Sequence, residues 1–177
     1  GVSGATRLTA ANQLTFTGTT YKANQQTYAA AAGNNFLVNG GATTTFTASD
    51  DAVAFNTGTL LLANGSDLVV TSGGGASSAA GGSRGTSSED VTLTSTGGTT
   101  NTVSVGAIGT ADEINTVAIS GSSGITLNGN ITTSDAAGNT VTLTGPVTLG
   151  TDVTIDTNNT TNDGAINFAT AASTVNG

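Results

Sequence analysis

Histidine, cysteine, methionine and tryptophan are all absent from this chain, and proline occurs once. Without histidine or cysteine there is no imidazole to act as general base or metal ligand, and no thiolate nucleophile. The lack of cysteine also excludes a disulfide framework, on which many small secreted domains with little core depend. Basic residues are scarce: Arg7, Lys22 and Arg84 stand against eleven acidic residues, for a net charge of −8. With no basic face to neutralise a phosphate backbone, nucleic acid is not expected as a partner. No apolar run reaches the roughly 18 to 20 residues that a spanning helix requires, and no charged segment precedes an apolar stretch at the N-terminus. Neither membrane insertion nor a signal segment is therefore expected.

What remains is glycine (26 residues), threonine, asparagine and serine, with 36% hydrophobic and only 8% charged residues in a chain of 177. Simple disorder normally couples low hydrophobicity to high charge, so this balance argues against it. The apolar residues come in short words. Residues 124–129 read GITLNG, 140–145 TVTLTG, 146–150 PVTLG, 152–156 DVTID and 164–168 GAINF. Apolar and small polar residues alternate with period two, the mark of a strand with one buried face. Val141, Leu143, Val147, Leu149, Val153, Ile155, Ile166 and Phe168 are accordingly expected to point inward. The first half repeats the pattern at Leu14–Phe16, Phe36–Val38, Thr44–Phe46, Val53–Phe55, Leu60–Leu62 and Leu68–Val70. Between the words lie Asn39–Gly41, Asn64–Gly65, Gly73–Gly75, Gly97–Gly98 and Asn128–Gly129, residue types that accept positive φ and tight corners.

Short strands with such corners fit a sandwich or a solenoid. The words resemble one another, as they must when each coil stacks on a copy of itself, and five Phe and two Tyr are too few for a thick two-sheet core. The expected fold is all-β: a right-handed parallel β-helix, or β-solenoid. At about 20 residues per coil it would make about eight or nine coils spaced about 4.8 Å, a rod of about 40 Å. The alternative is an antiparallel β-sandwich completed by donor-strand exchange, with Leu8 to Tyr21 as the donor. Residues 73–88, GGGASSAAGGSRGTSS, have almost nothing to bury and read as a loop or excursion. They separate an N-terminal β block (1–72) from C-terminal solenoid repeats (89–177) within one continuous domain.

The wording of 124–133 and 141–156 resembles the passenger repeats of filamentous-haemagglutinin-like adhesins and large autotransporters. That resemblance covers about 86–177 and, more weakly, 43–72; it implies a parallel β-helix displayed at a bacterial cell surface. No secretion-domain signature, translocator barrel or polar cap accompanies the repeats, so the chain is expected either to be a fragment or to have its ends covered by neighbouring subunits. The functional expectation is an extracellular structural or adhesive protein with no catalysis, a surface rod or self-assembling fibre subunit. Its expected partners are copies of itself stacked head-to-tail, neighbouring repeats, and host or cell-surface glycans. The alternative is a carbohydrate-, ice- or Ca²⁺-binding module.

Carboxylates and hydroxyls are the only chemistry available. No catalytic or cofactor-binding residue is assigned; Ca²⁺ is the one cofactor left open, since it takes six to eight oxygen ligands. Its candidates are the pairs Asp50–Asp51, Glu89–Asp90 and Asp112–Glu113, with solvated turn carboxylates as the simpler reading because adjacent strand residues face opposite ways. Thr-x-Thr words at 15/17, 43/45/47, 92/94/96 and 142/144 raise ice binding, but their sequence spacing is irregular and exposed β propensity explains them more simply.

Overall fold

The computed structural model describes residues 4–74, 77–79, 83–85, 88–97, 101–134, 140–157 and 163–169. Among them there is no helix; the chain winds through short strands, three to a coil except in coil five, where isolated bridges at Ile108 and Ile114 take the middle place. Coil one carries β1 (Ala5–Ala10), β2 (Leu14–Phe16) and β3 (Thr20–Ala23); coil two β4 (Gln25–Ala30), β5 (Asn35–Val38) and β6 (Thr44–Ala48). Coil three carries β7 (Val53–Asn56), β8 (Thr59–Leu62) and β9 (Leu68–Ser72); coil four β10 (Ser77–Ala79), β11 (Ser83–Arg84) and β12 (Asp90–Ser95). Coil five has β13 (Thr102–Val105) and β14 (Thr116–Gly121); coil six β15 (Gly124–Leu127), β16 (Ile131–Thr132) and β17 (Thr140–Thr144). Coil seven closes with β18 (Val147–Leu149), β19 (Ile155–Asp156) and β20 (Ala165–Phe168).

Every strand pairs in parallel with its counterpart one coil away. Sheet 1 runs β1-β4-β7-β10-β13-β15-β18 and sheet 3 runs β3-β6-β9-β12-β14-β17-β20, each without a break. Sheet 2 comprises β2-β5-β8-β11 and β16-β19, with Ile108 and Ile114 of coil five bridging to Ile131 and Thr133. The protein is thus an all-β parallel solenoid of about six turns, rising about 29 Å from first strand to last at the usual interstrand spacing. All-parallel pairing overturns the antiparallel sandwich: Leu8 to Tyr21 is no donor strand but the first coil, paired through β1, β2 and β3 to the second. The coils are longer than expected. Partners in sheet 3 lie 23 to 26 residues apart, as in Leu68↔Val91 and Val91↔Val117, so the chain makes fewer turns. Within 73–88, β10 and β11 occupy the fourth place in sheets 1 and 2; Ser77 and Ala79 are small enough for inward positions.

Alternation explains the core. In β4, β12 and β14 every second residue is buried, and register stacks those residues into columns along the axis. One column passes from Tyr28 through Phe55, Ala79 and Val105 to Leu127; another passes from Phe46 through Val70, Leu93 and Ile119 to Leu143. Coils one to three fill the lumen with rings: Phe16 meets Tyr28 and Phe46 edge-on at 5.0 Å, and Phe46 meets Phe55 edge-on at 5.2 Å. Edge-to-face pairs contribute about 0.5–1.5 kcal/mol beyond their buried area. Farther along, Val, Ile and Leu take over. Of the residues expected inward, Val141, Leu143 and Val147 are buried and Leu149, Val153 and Ile155 are half-buried, whereas Ile166 and Phe168 are exposed on the last strand.

The corner after sheet 3 is set by glycine. Glycines recur there at 73, 97, 121 and 145, a spacing of 24. A Cβ on Gly97 would lie 1.5 Å from the Gly73 carbonyl oxygen, and one on Gly145 would lie 2.0 Å from that of Gly121. Backbone passes over backbone at these points, leaving no room for a side chain.

The aromatic lumen holds one buried polar network. The Tyr28 hydroxyl donates to Gln26 Oε1 at 2.7 Å, and Gln26 Nε2 donates to the carbonyls of Thr47 at 2.7 Å and Tyr21 at 3.2 Å. Burial, with the Tyr21 phenol adding to it, pushes the Tyr28 phenol up from 10.0 to about 12. The neutral phenol is the form the fold favours, so its contribution is complete below pH 10 and is lost as pH rises toward 12. Urea midpoints are expected to fall between those pH values, and Tyr28→Phe is expected to flatten that fall; an equally steep decline in the variant would contradict the assignment.

Candidate functional site

The corner entering sheet 3 carries a side-chain ladder. Asp67 Oδ2 accepts from Thr43 Oγ1 at 3.2 Å, and Asp67 Oδ1 accepts from the Asp90 backbone N–H at 3.1 Å. Asp90 Oδ1 in turn accepts from Asn115 Nδ2 (2.9 Å), the Thr116 N–H (3.1 Å) and Thr116 Oγ1 (2.7 Å). Each carboxylate satisfies a donor on the following coil, the role a backbone carbonyl plays within the sheet. Asn130 does the same in sheet 2, its Oδ1 accepting from the Thr154 N–H at 2.9 Å.

Of the sequence candidates, Asp50 is exposed and Asp51 half-buried in the turn between β6 and β7; Asp51 accepts from Gln25 Nε2 at 3.1 Å and from the Ala52 N–H at 2.8 Å. Glu89 and Asp90 face opposite ways. Glu89 is fully buried, its Oε1 accepting from the Gly65 N–H at 3.0 Å and from Ser88 Oγ at 2.8 Å. Asp112 is exposed and Glu113 half-buried on the segment between Ile108 and Ile114; the Asp112 carbonyl accepts from the Gly85 N–H at 3.4 Å. Among the described residues no three acidic side chains gather into a group able to hold a metal ion. Asp67 carries no motif of its own in the sequence; its one signal there is its place 23 residues before Asp90, one coil away.

The Thr-x-Thr words fall into register. On the outer face of sheet 3, Thr45 and Thr47, Thr92 and Thr94, and Thr142 and Thr144 lie in two columns, with Val69, Thr71, Ala118 and Ser120 on the intervening strands. Sequence spacing hides this because the turns differ in length. A polar depression of about 390 Å³ lies elsewhere on the surface, lined by Asn34, Asn35, Thr57, Thr59, Ala107 and Thr110. Thr57 there adopts φ 63°, costly for a β-branched residue, and its hydroxyl donates to the Ala30 carbonyl of the preceding coil at 2.5 Å.

The head of the solenoid is hollow. About 220 Å³ opens among Leu8, Leu14, Phe16, Tyr21, Gln26 and Tyr28, where the lumen of coil one meets solvent. Fold and surfaces together define the class as a parallel β-solenoid protein of stacked repeats. No protein-family model, curated protein or solved structure matches the chain.

Asp90→Ala is expected to lower stability by about 1–3 kcal/mol, since it strands partly buried donors on the next coil. Asp90→Asn keeps the acceptor and should recover much of that loss. Equal urea midpoints for wild type and the alanine variant would show that the ladder carries no stability.

Proposed function

We propose that this chain is a structural rod of an extracellular, cell-surface protein, of the kind implied by its resemblance to bacterial filamentous-haemagglutinin-like and autotransporter passenger repeats. The observation that carries the reading is the pair of unbroken seven-strand parallel ladders running the length of the axis. Every coil is tied to the next by backbone hydrogen bonds, reinforced at the corners by Asp67, Asp90 and Asn130. Such a stack holds separation and stiffness without needing a reactive group. Adhesion to glycans fits the same architecture, with the outward hydroxyl columns of sheet 3 as the contact surface.

Small-angle scattering on the purified chain tests this reading beside incubation with a polysaccharide panel. A compact particle matching a solenoid of about 29 Å axial rise, with no new reducing ends, is expected. An expanded, unfolded-like profile, or steady release of reducing ends, would contradict it.

The two threonine columns favour a second reading, a binding module for a ligand whose surface repeats, such as ice or a crystalline polysaccharide. Growth of ice crystals in the presence of wild type and of Thr94→Lys, at the centre of sheet 3, tests it. Arrested growth relieved by the substitution supports that reading, and unimpeded growth with wild type removes ice as the ligand.

A further inference from the structure

The corner between sheets 1 and 2 holds the polar depression of about 390 Å³. Coil two contributes Asn34 and Asn35 to it, coil three Thr57 and Thr59, and coil five Ala107 and Thr110. Register brings the first two walls together: Asn35 pairs with Thr59 in sheet 2, so Gly33 of coil two and Thr57 of coil three are counterparts at the turn.

Those counterparts share a left-handed backbone, φ 81° at Gly33 and 63° at Thr57. Glycine adopts it freely, whereas a β-branched residue does so at a cost that its surroundings must offset. Thr57 is the one non-glycine residue with positive φ among the described residues. Part of the offset is the hydrogen bond that its hydroxyl donates to the Ala30 carbonyl at 2.5 Å. A corner that needed only its turn would use glycine, as coil two does. At coil three a threonine side chain is kept, at a place where it lines the depression.

The lining also has hydrogen-bonding capacity to spare. Among the described residues the Asn35 amide and the Thr59 and Thr110 hydroxyls have no protein partner. Asn34 donates from Nδ2 to the Ala11 carbonyl at 3.3 Å, which leaves its Oδ1 as an acceptor. Donors and acceptors are thus both on offer. Among the described residues that line the depression there is no charged group, no aromatic ring and no apolar side chain beyond the Ala107 methyl. An ion or a nucleotide would find no counter-charge there, and an apolar ligand no apolar wall. A neutral molecule rich in hydroxyls matches it, because each hydroxyl donates once and accepts twice. The volume lies within the range of small-ligand sites.

We infer that this corner binds a neutral monosaccharide unit through Asn35, Thr57, Thr59 and Thr110. The site is distinct from the sheet 3 columns and independent of the rod reading, since a rod needs no such depression. Without an aromatic platform, and with each hydrogen bond replacing one to water, the affinity is weak, with a Kd on the order of 1 mM.

Titration of the isotope-labelled chain with methyl glucoside, methyl galactoside and N-acetylglucosamine, followed by backbone amide chemical shifts, tests the inference. Saturable shifts confined to residues 33–35, 57–59 and 107–110 are expected with at least one of the three sugars, and no shift there with inorganic phosphate. Asn35→Ala and Thr110→Ala, neither of them in the core, are each expected to weaken binding about three- to tenfold while urea midpoints stay near wild type. Thr57→Gly keeps the left-handed corner and is expected to fold and to weaken binding by a similar factor. The absence of saturable shifts with all three sugars, shifts on the Thr47–Thr144 column in place of the corner, phosphate binding at the corner, or unchanged affinity in all three variants would each overturn the inference. A compact scattering profile measured beside any of these outcomes leaves the rod reading standing.

Discussion

Register between parallel coils is the constraint on which everything else in this molecule depends. A strand that slipped by one residue against its neighbour would turn every inward side chain outward, because the side-chain period is two. Once Val91 sits on Leu68 and Val117 on Val91, the columns of the lumen, the threonine columns outside and the Asp67–Asp90–Thr116 ladder follow together. The corner glycines serve the same end. Gly97 over Gly73 and Gly145 over Gly121 let the backbone of one coil lie directly on the previous one, so that the strands after the corner arrive in step.

The core changes character along this constraint. Six of the seven aromatic residues lie in coils one to three, where they fill the lumen edge to face; the later coils use Val, Ile and Leu at the same inward positions. Both fillings satisfy the same backbone. Glu89 and Gln26 are the largest polar side chains buried among the described residues, and each is bonded across coils, to the Gly65 N–H and to the Thr47 carbonyl. The Gly65 N–H lies in a turn outside the ladders, and the buried Glu89 carboxylate supplies its acceptor.

Much of the strand content was legible because words such as TVTLT announce one buried face, and their mutual likeness argued for stacking. Coil length was not. The strand words are separated by turns of unequal length, so the repeat shows most clearly at the corners, in the glycines 24 residues apart. Short inward residues in 77–79 carry no apolar signal, which is why β10 is invisible in sequence. Of the candidate acids, the split of Glu89 inward and Asp90 outward follows from strand alternation, but the bonds that hold each depend on Gly65 and Thr116 of other coils. Exposure of Ile166 and Phe168 was hidden for a related reason: alternation gives the direction of a side chain, and only the stack gives its cover.

The absence of cysteine makes the stack directly measurable. Thr47, Thr71, Thr94, Ser120 and Thr144 form one outward column of sheet 3, on successive coils. Paired cysteine substitutions at Thr47 and each of the others, carrying spin labels, report distances along it. Parallel, in-register stacking predicts a separation that grows by about 4.8 Å with every coil, reaching about 19 Å between Thr47 and Thr144. Distances that fail to rise with coil number would contradict a parallel, in-register solenoid.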